Sequence, residues 1–325
     1  MKNIFRKAFI AVFLGFFTLF SLHGRGINEG KTGNLTIYSL KGSPGVGMIR
    51  LFEEPPSIPG FQVRVEALAQ ADLMAAAFIS GEAKVGILPP NVAAKIASSG
   101  RDLRAAAIVG TGMLSLLSSD SSVRSLGDLR GKTVEIAGQG ATPEYVFRKI
   151  LSSGGLVPET DVSLGYSLAP PEISQSLIAG RISLGLIPEP FATMARQGRP
   201  DLISVADIQG EWMRAVDQGN YPMTLLVIDG EFADANPVAI DIILDRVSSS
   251  IEWVLSNPIE AGSLVEKHDL GLRAPIVTAS IPQSGYVFIP AVEGRSSLEA
   301  LFRVFLEFAP VSIGGVLPGD RFYHK

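Results

Sequence analysis

The sequence has no cysteine in its 325 residues. Disulfides, zinc-thiolate sites, cysteine nucleophiles and a lipid anchor on an N-terminal cysteine are therefore excluded. Histidine is almost as scarce, with three in the chain. His23 falls in the N-terminal segment and His324 is the penultimate residue. His268 ends a predicted surface helix, where a positive side chain suits the helix dipole. No two of them have the spacing of a metal site. A serine–histidine triad would have to use His268, and no GxSxG elbow accompanies it. Walker and dinucleotide-binding loops are missing as well. The glycine-rich turn at Gly138–Thr142 lacks the third glycine and the later acidic partner. No catalytic residue, metal or cofactor is expected. Basic runs are absent beyond the N-terminus. Residues 1–26 hold four positive charges (Lys2, Arg6, Lys7, Arg25) and no acid, leaving 24 of the 28 Lys+Arg against 32 Asp+Glu, or −8. That balance argues against nucleic acid or an anionic membrane surface as a partner.

What is present begins with a basic head, an apolar run from Ile10 to Leu22, and small residues at Gly24 and Gly26. This is the three-part pattern of a secretory signal peptide over residues 1–26. The apolar run is short against the ~20 residues of a spanning helix. The expectation is an exported, periplasmic or extracytoplasmic protein without a lipid anchor. The remaining chain is long enough for two domains and for a core that needs no disulfides.

Apolar, β-rich runs alternate with amphipathic stretches over the first two-thirds. Strands are predicted at Leu35–Ser39, Gln62–Ala67, Lys84–Leu88, Arg104–Val109, Thr133–Ala137, Val162–Tyr166, Ile182–Ile187 and Leu202–Val205. Helices are predicted at Ala71–Ser80, Asn91–Ser99, Pro143–Ser153 and Pro171–Ala179. Such alternation implies βαβ units and an α/β fold. After Met223–Asp229 the pattern becomes mostly helical, at Pro237–Ser256, Pro258–His268 and Ser296–Phe308. Gly110–Ser122 and Asn220–Asp229 read as two crossings between lobes, with a block of about 100 residues between them. A cleft between two such lobes is a natural small-molecule site.

One feature recurs: a strand, a Gly/Pro-rich turn, then a helix. It occurs at Gly42-Ser43-Pro44-Gly45, at Pro89-Pro90-Asn91, at Gly138–Thr142 and at Pro188-Glu189-Pro190. Proline is pre-shaped for a helix start, and Ser, Thr or Asn can cap it. Each start presents free backbone N–H groups and a positive dipole end. In parallel α/β sheets these strand ends line the binding crevice.

The block from Leu126 to Phe191 carries DLRGKTV at 128–134, L..GG at 151–155, P.EI..SLIAGRI at 170–182 and EPF at 189–191. With GSPGVGM at 42–48, ILPPNVAAK at 87–95 and the tail from Leu301 to Lys325, it resembles the periplasmic solute-binding proteins of the nitrate/sulfonate/taurine/thiamine-pyrimidine (NMT1-like) family, which serve ABC importers. Ser183-Leu184 stands where that family usually has Asp-Ala. The resemblance implies a type II periplasmic-binding-protein fold: two lobes, each a mixed sheet flanked by helices, closing on a solute. Lobe 1 would be 33–113 plus 225–325, and lobe 2 would be 114–224. The implied partners are a small organic solute and a membrane permease, with the receptor a monomer. By position, the implied cleft residues are Ser43, Pro44 and Gly45; Leu88, Pro89 and Asn91; Thr111; Gln139, Gly140, Ala141 and Thr142; Glu189; and Tyr221 with Pro222.

Ser43, Asn91 and Thr142 can bond the solute or only cap their own helices. Tyr221 can stack on a ring or belong to the core, and Trp212 reads as packing. Lys41 is the only cation at the edge of these loops, and Glu189 would repel an anion. A neutral or amine-bearing solute is therefore expected over nitrate or sulfate. Two other roles stay open: a ligand-sensing partner of a membrane receptor kinase, and an enzyme on the same fold. The enzymes with this resemblance are thiamine-pyrimidine synthases and menaquinone-pathway dehydratases. The first use histidine and a cysteine-rich motif, which this sequence lacks, and the second need no leader.

Overall fold

The structure is a computed structural model that describes residues 33–325. The expected leader, residues 1–26, lies outside the described residues. Among the described residues, eleven strands form two sheets. In chain order they are β1 Gly33–Leu40, β2 Phe61–Leu68, β3 Val85–Leu88, β4 Leu103–Thr111, β5 Leu114–Ser118, β6 Thr133–Ile136, β7 Ser163–Gly165, β8 Leu184–Pro188, β9 Ile203–Ala206, β10 Pro222–Asp229 and β11 Tyr286–Pro290. The first sheet has the order β11-β4-β10-β3-β1-β2 and the second β7-β6-β8-β5-β9.

Burial explains the strand sequences. β3 and β4 are buried at every position; β3 is a continuous apolar or small run, and β4 is one apart from Arg104, which pairs with Asp102 and Asp234. β2 lies at a sheet edge and alternates between half-buried and exposed residues over most of its length. Both sheets are mixed. β1 pairs in parallel with β2 and β3, whereas β10 runs antiparallel to β3 and β4. In the second sheet β6 is parallel to β7 and β8, and β5 is antiparallel to β8 and β9.

Among the described residues, thirteen α-helices cover the sheets. The first eight are α1 Ser43–Val46, α2 Ile49–Glu53, α3 Ala71–Ser80, α4 Pro90–Ser98, α5 Thr142–Ser153, α6 Pro170–Ile178, α7 Phe191–Gly198 and α8 Ile208–Val216. The last five are α9 Gly230–Ala235, α10 Pro237–Ser256, α11 Pro258–Lys267, α12 Ala274–Ser280 and α13 Arg295–Phe308. No helix among the described residues is long and apolar enough to cross a membrane.

The fold is thus two-lobed α/β, with a mixed sheet flanked by helices in each lobe. One core runs through most of the molecule. A smaller cluster of Leu117, Ile173, Leu177, Ile187, Ala192 and Ala195 seats α6 and α7 on the second sheet.

Two strands differ from the sequence expectation. Gly110–Ser122 reads as a crossing, but its second half is β5, which lies between β8 and β9. β11 lies in the stretch that reads as mostly helical. It is an edge strand that joins β4 with an irregular register.

Candidate functional site

The four predicted helix starts are present, two on each lobe. After β1 the chain turns at Gly42 (φ 86°) into α1. Gly45 must be glycine, because a Cβ there would lie 2.1 Å from the Leu40 carbonyl oxygen. Ser43 is buried, and its Oγ lies 3.2 Å from the Tyr286 hydroxyl. The Tyr286 hydroxyl in turn donates to the Ser43 carbonyl at 3.1 Å. Burial, with the Glu189 charge adding to it, pushes the Tyr286 phenol up to about 12.

Leu88 ends β3 fully buried, and Pro89 and Pro90 start α4. Asn91 is 8 % exposed in the first turn. Its Nδ2 reaches across to the Gly140 carbonyl on lobe 2 at 3.4 Å. Its Oδ1 is buried and has no partner.

On lobe 2, Gly138 (φ 95°) and Gly140 (φ 75°) shape the turn before α5. Gln139 is exposed on that turn. Ala141 is the residue before the helix, and Thr142 is its first residue. Thr142 is 2 % exposed, and its Oγ1 has no partner. Asn91 and Thr142 do not cap their own helices, since neither α4 nor α5 has a side-chain cap. A buried hydroxyl or amide oxygen without a partner is costly. Two such atoms lie on the helix starts that the Asn91–Gly140 hydrogen bond brings together.

Glu189 is 1 % exposed. Its Oε2 accepts the Thr193 N–H at 2.9 Å, which caps α7. Its Oε1 accepts from Arg196 at 3.2 Å, and Arg196 also donates to Ser115 Oγ on β5 at 2.9 Å. The guanidinium at Glu189 comes from α7 and not from a cleft loop. Arg196 lies seven residues beyond Glu189 and folds back along α7 to reach it. Lys41 is paired with Asp269 at 2.8 Å. A cavity of about 520 Å³ opens beside the pair, lined by Ser115, Ser204, Asp207 and Gln209 of lobe 2 and by Gln283 of lobe 1. A second cavity of about 400 Å³ shares Arg196 and Gln283 with it.

Thr111, Tyr221 and Pro222 sit at the crossover and serve the backbone there. The Thr111 N–H donates to the Gly285 carbonyl at 2.9 Å, and Pro222 is in register with Thr111 in the β4–β10 ladder. Tyr221 is fully buried against Trp212, and its hydroxyl accepts the Leu114 N–H at 3.2 Å. Burial raises its pKa. Of the two roles the sequence left open for Tyr221, stacking or core, this structure has it in the core, with no surface given to a solute ring. Trp212 is also fully buried and donates to the Gly219 carbonyl at 3.1 Å, the packing role the sequence suggested.

Sequence reasoning missed Arg196, Tyr286 and Gln283. The first needs a helix to fold back seven residues, and the other two come from the segment read as helical. Among the described residues, no group of three or more His, Asp or Glu could hold a metal ion.

A family model described as NMT1/THI5 like matches residues 59–261. The chain belongs to the NMT1/THI5-like family. Solved structures agree on the fold. An ABC transporter structure from Parabacteroides distasonis has 22% identity and a TM-score of 0.76, covering 90% of this chain and 99% of that one. The periplasmic aliphatic sulphonate binding protein SsuA of Escherichia coli has 18% identity and a TM-score of 0.70, covering 88% and 97%. The periplasmic nitrate-binding protein NrtA of Synechocystis PCC 6803 has 11% identity and a TM-score of 0.59, covering 89% and 83%. No curated protein matches the chain.

Proposed function

We propose that the protein is an extracytoplasmic receptor that captures a small organic solute between its lobes and delivers it to the permease of an ABC importer. The working lobes in this reading are 33–113 with 225–325, and 114–224. The observation that carries it is the pair of buried, unpartnered oxygens, Asn91 Oδ1 and Thr142 Oγ1, on facing helix starts. The family supports it, as do the similar structures, an ABC transporter, a sulphonate binding protein and a nitrate-binding protein.

The solute is neutral or amine-bearing and offers a hydrogen-bond donor. The reason differs from the one the sequence suggested. Arg196 already neutralises Glu189, so repulsion by that carboxylate is not the deciding factor. The deciding feature is Asn91 Oδ1, which can only accept. The test is a thermal-shift screen of pyrimidines, amino-sulfonates, amines, flavins and aromatic acids. A ligand at a hundred times its Kd adds ~2.7 kcal/mol to stability. A donor-bearing solute is expected to raise the melting point. A screen in which only simple oxyanions do so contradicts the solute class, and one in which nothing does so contradicts the receptor reading.

A further inference from the structure

The Gly140 peptide is held from both sides. Its carbonyl accepts Asn91 Nδ2 at 3.4 Å, and its N–H donates to Glu144 Oε2 at 2.7 Å. Glu144 lies in the first turn of α5 and is 5 % exposed. Its other oxygen accepts Arg148 Nε at 2.7 Å and the Tyr166 hydroxyl at 2.9 Å. Both carboxylate oxygens are therefore fixed, one of them by a charged donor. The turn they anchor contains two glycines with positive φ, which by themselves allow several arrangements. Further along, α5 is joined to α13 of the other lobe by the Tyr145–Phe305 ring contact at 4.9 Å and by Lys149–Glu307 at 2.8 Å.

We infer that Glu144 is a positioning residue for solute capture: it holds the Gly140 carbonyl where Asn91 meets it, and so leaves Asn91 Oδ1 as a free acceptor. An asparagine amide has one donor end and one acceptor end. With the donor end on Gly140, the group opposite Oδ1 must donate. Glu144 acts on the solute through Gly140 and Asn91 and touches none of it. The inference rests on the receptor reading for its purpose, but its test needs no solute.

The cysteine-free chain allows two spin labels to be placed cleanly, at Lys95→Cys on α4 and Ser153→Cys at the end of α5, both exposed. Double electron–electron resonance then reads the distance between the lobes. In Glu144→Gln the remaining oxygen stays with Arg148 and Tyr166, and the amide NH2 faces the Gly140 N–H. Glu144→Asp keeps the charge but falls one methylene short of Gly140, so it serves if the first variant does not fold. Either change is expected to lengthen and broaden the distance distribution, as Asn91→Ala does. The double variant with Asn91→Ala should go no further than either single one. An unchanged distribution in the Glu144 variants, or additive shifts in the double variant, overturns the inference. So does an Asn91→Ala protein that matches the parent. If no solute is ever found, these distances remain readable, so the two readings fail separately.

Discussion

Thr142 holds a hydroxyl that is buried and unpartnered, and this separates a binding role from a structural one. Thr142→Val keeps the shape and removes only the polar atom. Replacing an unsatisfied polar group by an apolar one of the same shape is nearly neutral or stabilising. Calorimetry with the identified solute should show an affinity loss of ~10-fold, or about 1.4 kcal/mol, with the unfolding midpoint unchanged or raised. Unchanged affinity would return Thr142 to the core. The Glu189–Arg196 pair behaves differently. Glu189 is 1 % exposed, so Arg196→Met leaves a buried carboxylate with the Thr193 N–H as its remaining donor. Denaturant unfolding should show a loss of about 1–3 kcal/mol, reduced from that of a fully buried pair because Arg196 is partly exposed. The helix-start positions of Asn91 and Thr142 were legible in the sequence because each follows a strand-ending Pro or Gly turn. Arg196 was not, because its partner is two helical turns away and only the folded helix joins them. Glu189 accepts the Thr193 N–H of α7 and pairs with Arg196 at the same time.

Trp212 on α8 shows how an element holds the crossover. Its ring is fully buried edge-on to Tyr221 at 5.7 Å, and Tyr221 supports the first residue of β5. Trp212→Ala should cost ~3–5 kcal/mol in chemical denaturation, the range for large core truncations. Trp212→Phe should cost less, with the Gly219 carbonyl losing its donor. Elements with strong periodic or continuous patterns were readable, as with β4 and α10. β5 was not, because Leu114–Ser118 is a short run that ends in the serines of the next loop. β11 was missed because Tyr286–Pro290 is short, lies at an edge and sits among helices. Both are joined to their sheets by partners distant in sequence, which no local pattern reports.

At the scale of the whole molecule, the C-terminal tail straps the first lobe. Phe322 packs on Phe302, the His324 N–H donates to the Ala105 carbonyl at 2.9 Å, and Arg321 meets Asp102 at 2.8 Å. The hydrogen bond from Arg104, assisted by Arg321, holds the Asp102 carboxyl at about 2, below its ordinary 3.8. Burial lowers the His324 pKa below its ordinary 6.5. Both folded values lie below the unfolded ones, so each group stabilises the fold at higher pH and loses that effect as pH falls. Urea unfolding across pH should show a decline beginning below about 6.5 from His324 and a further one between about 3.8 and 2 from Asp102. His324→Gln should remove the upper decline alone. The central claim, that the lobes enclose a solute satisfied by Asn91 and Thr142, is tested most directly by native mass spectrometry of the gently purified protein beside Thr142→Val. The expected result is a small-molecule adduct on the parent that disappears on denaturation and is weakened or absent in the variant. A parent that is bare even after incubation with a cell-extract metabolite pool, or an adduct equally strong in both proteins, would contradict it.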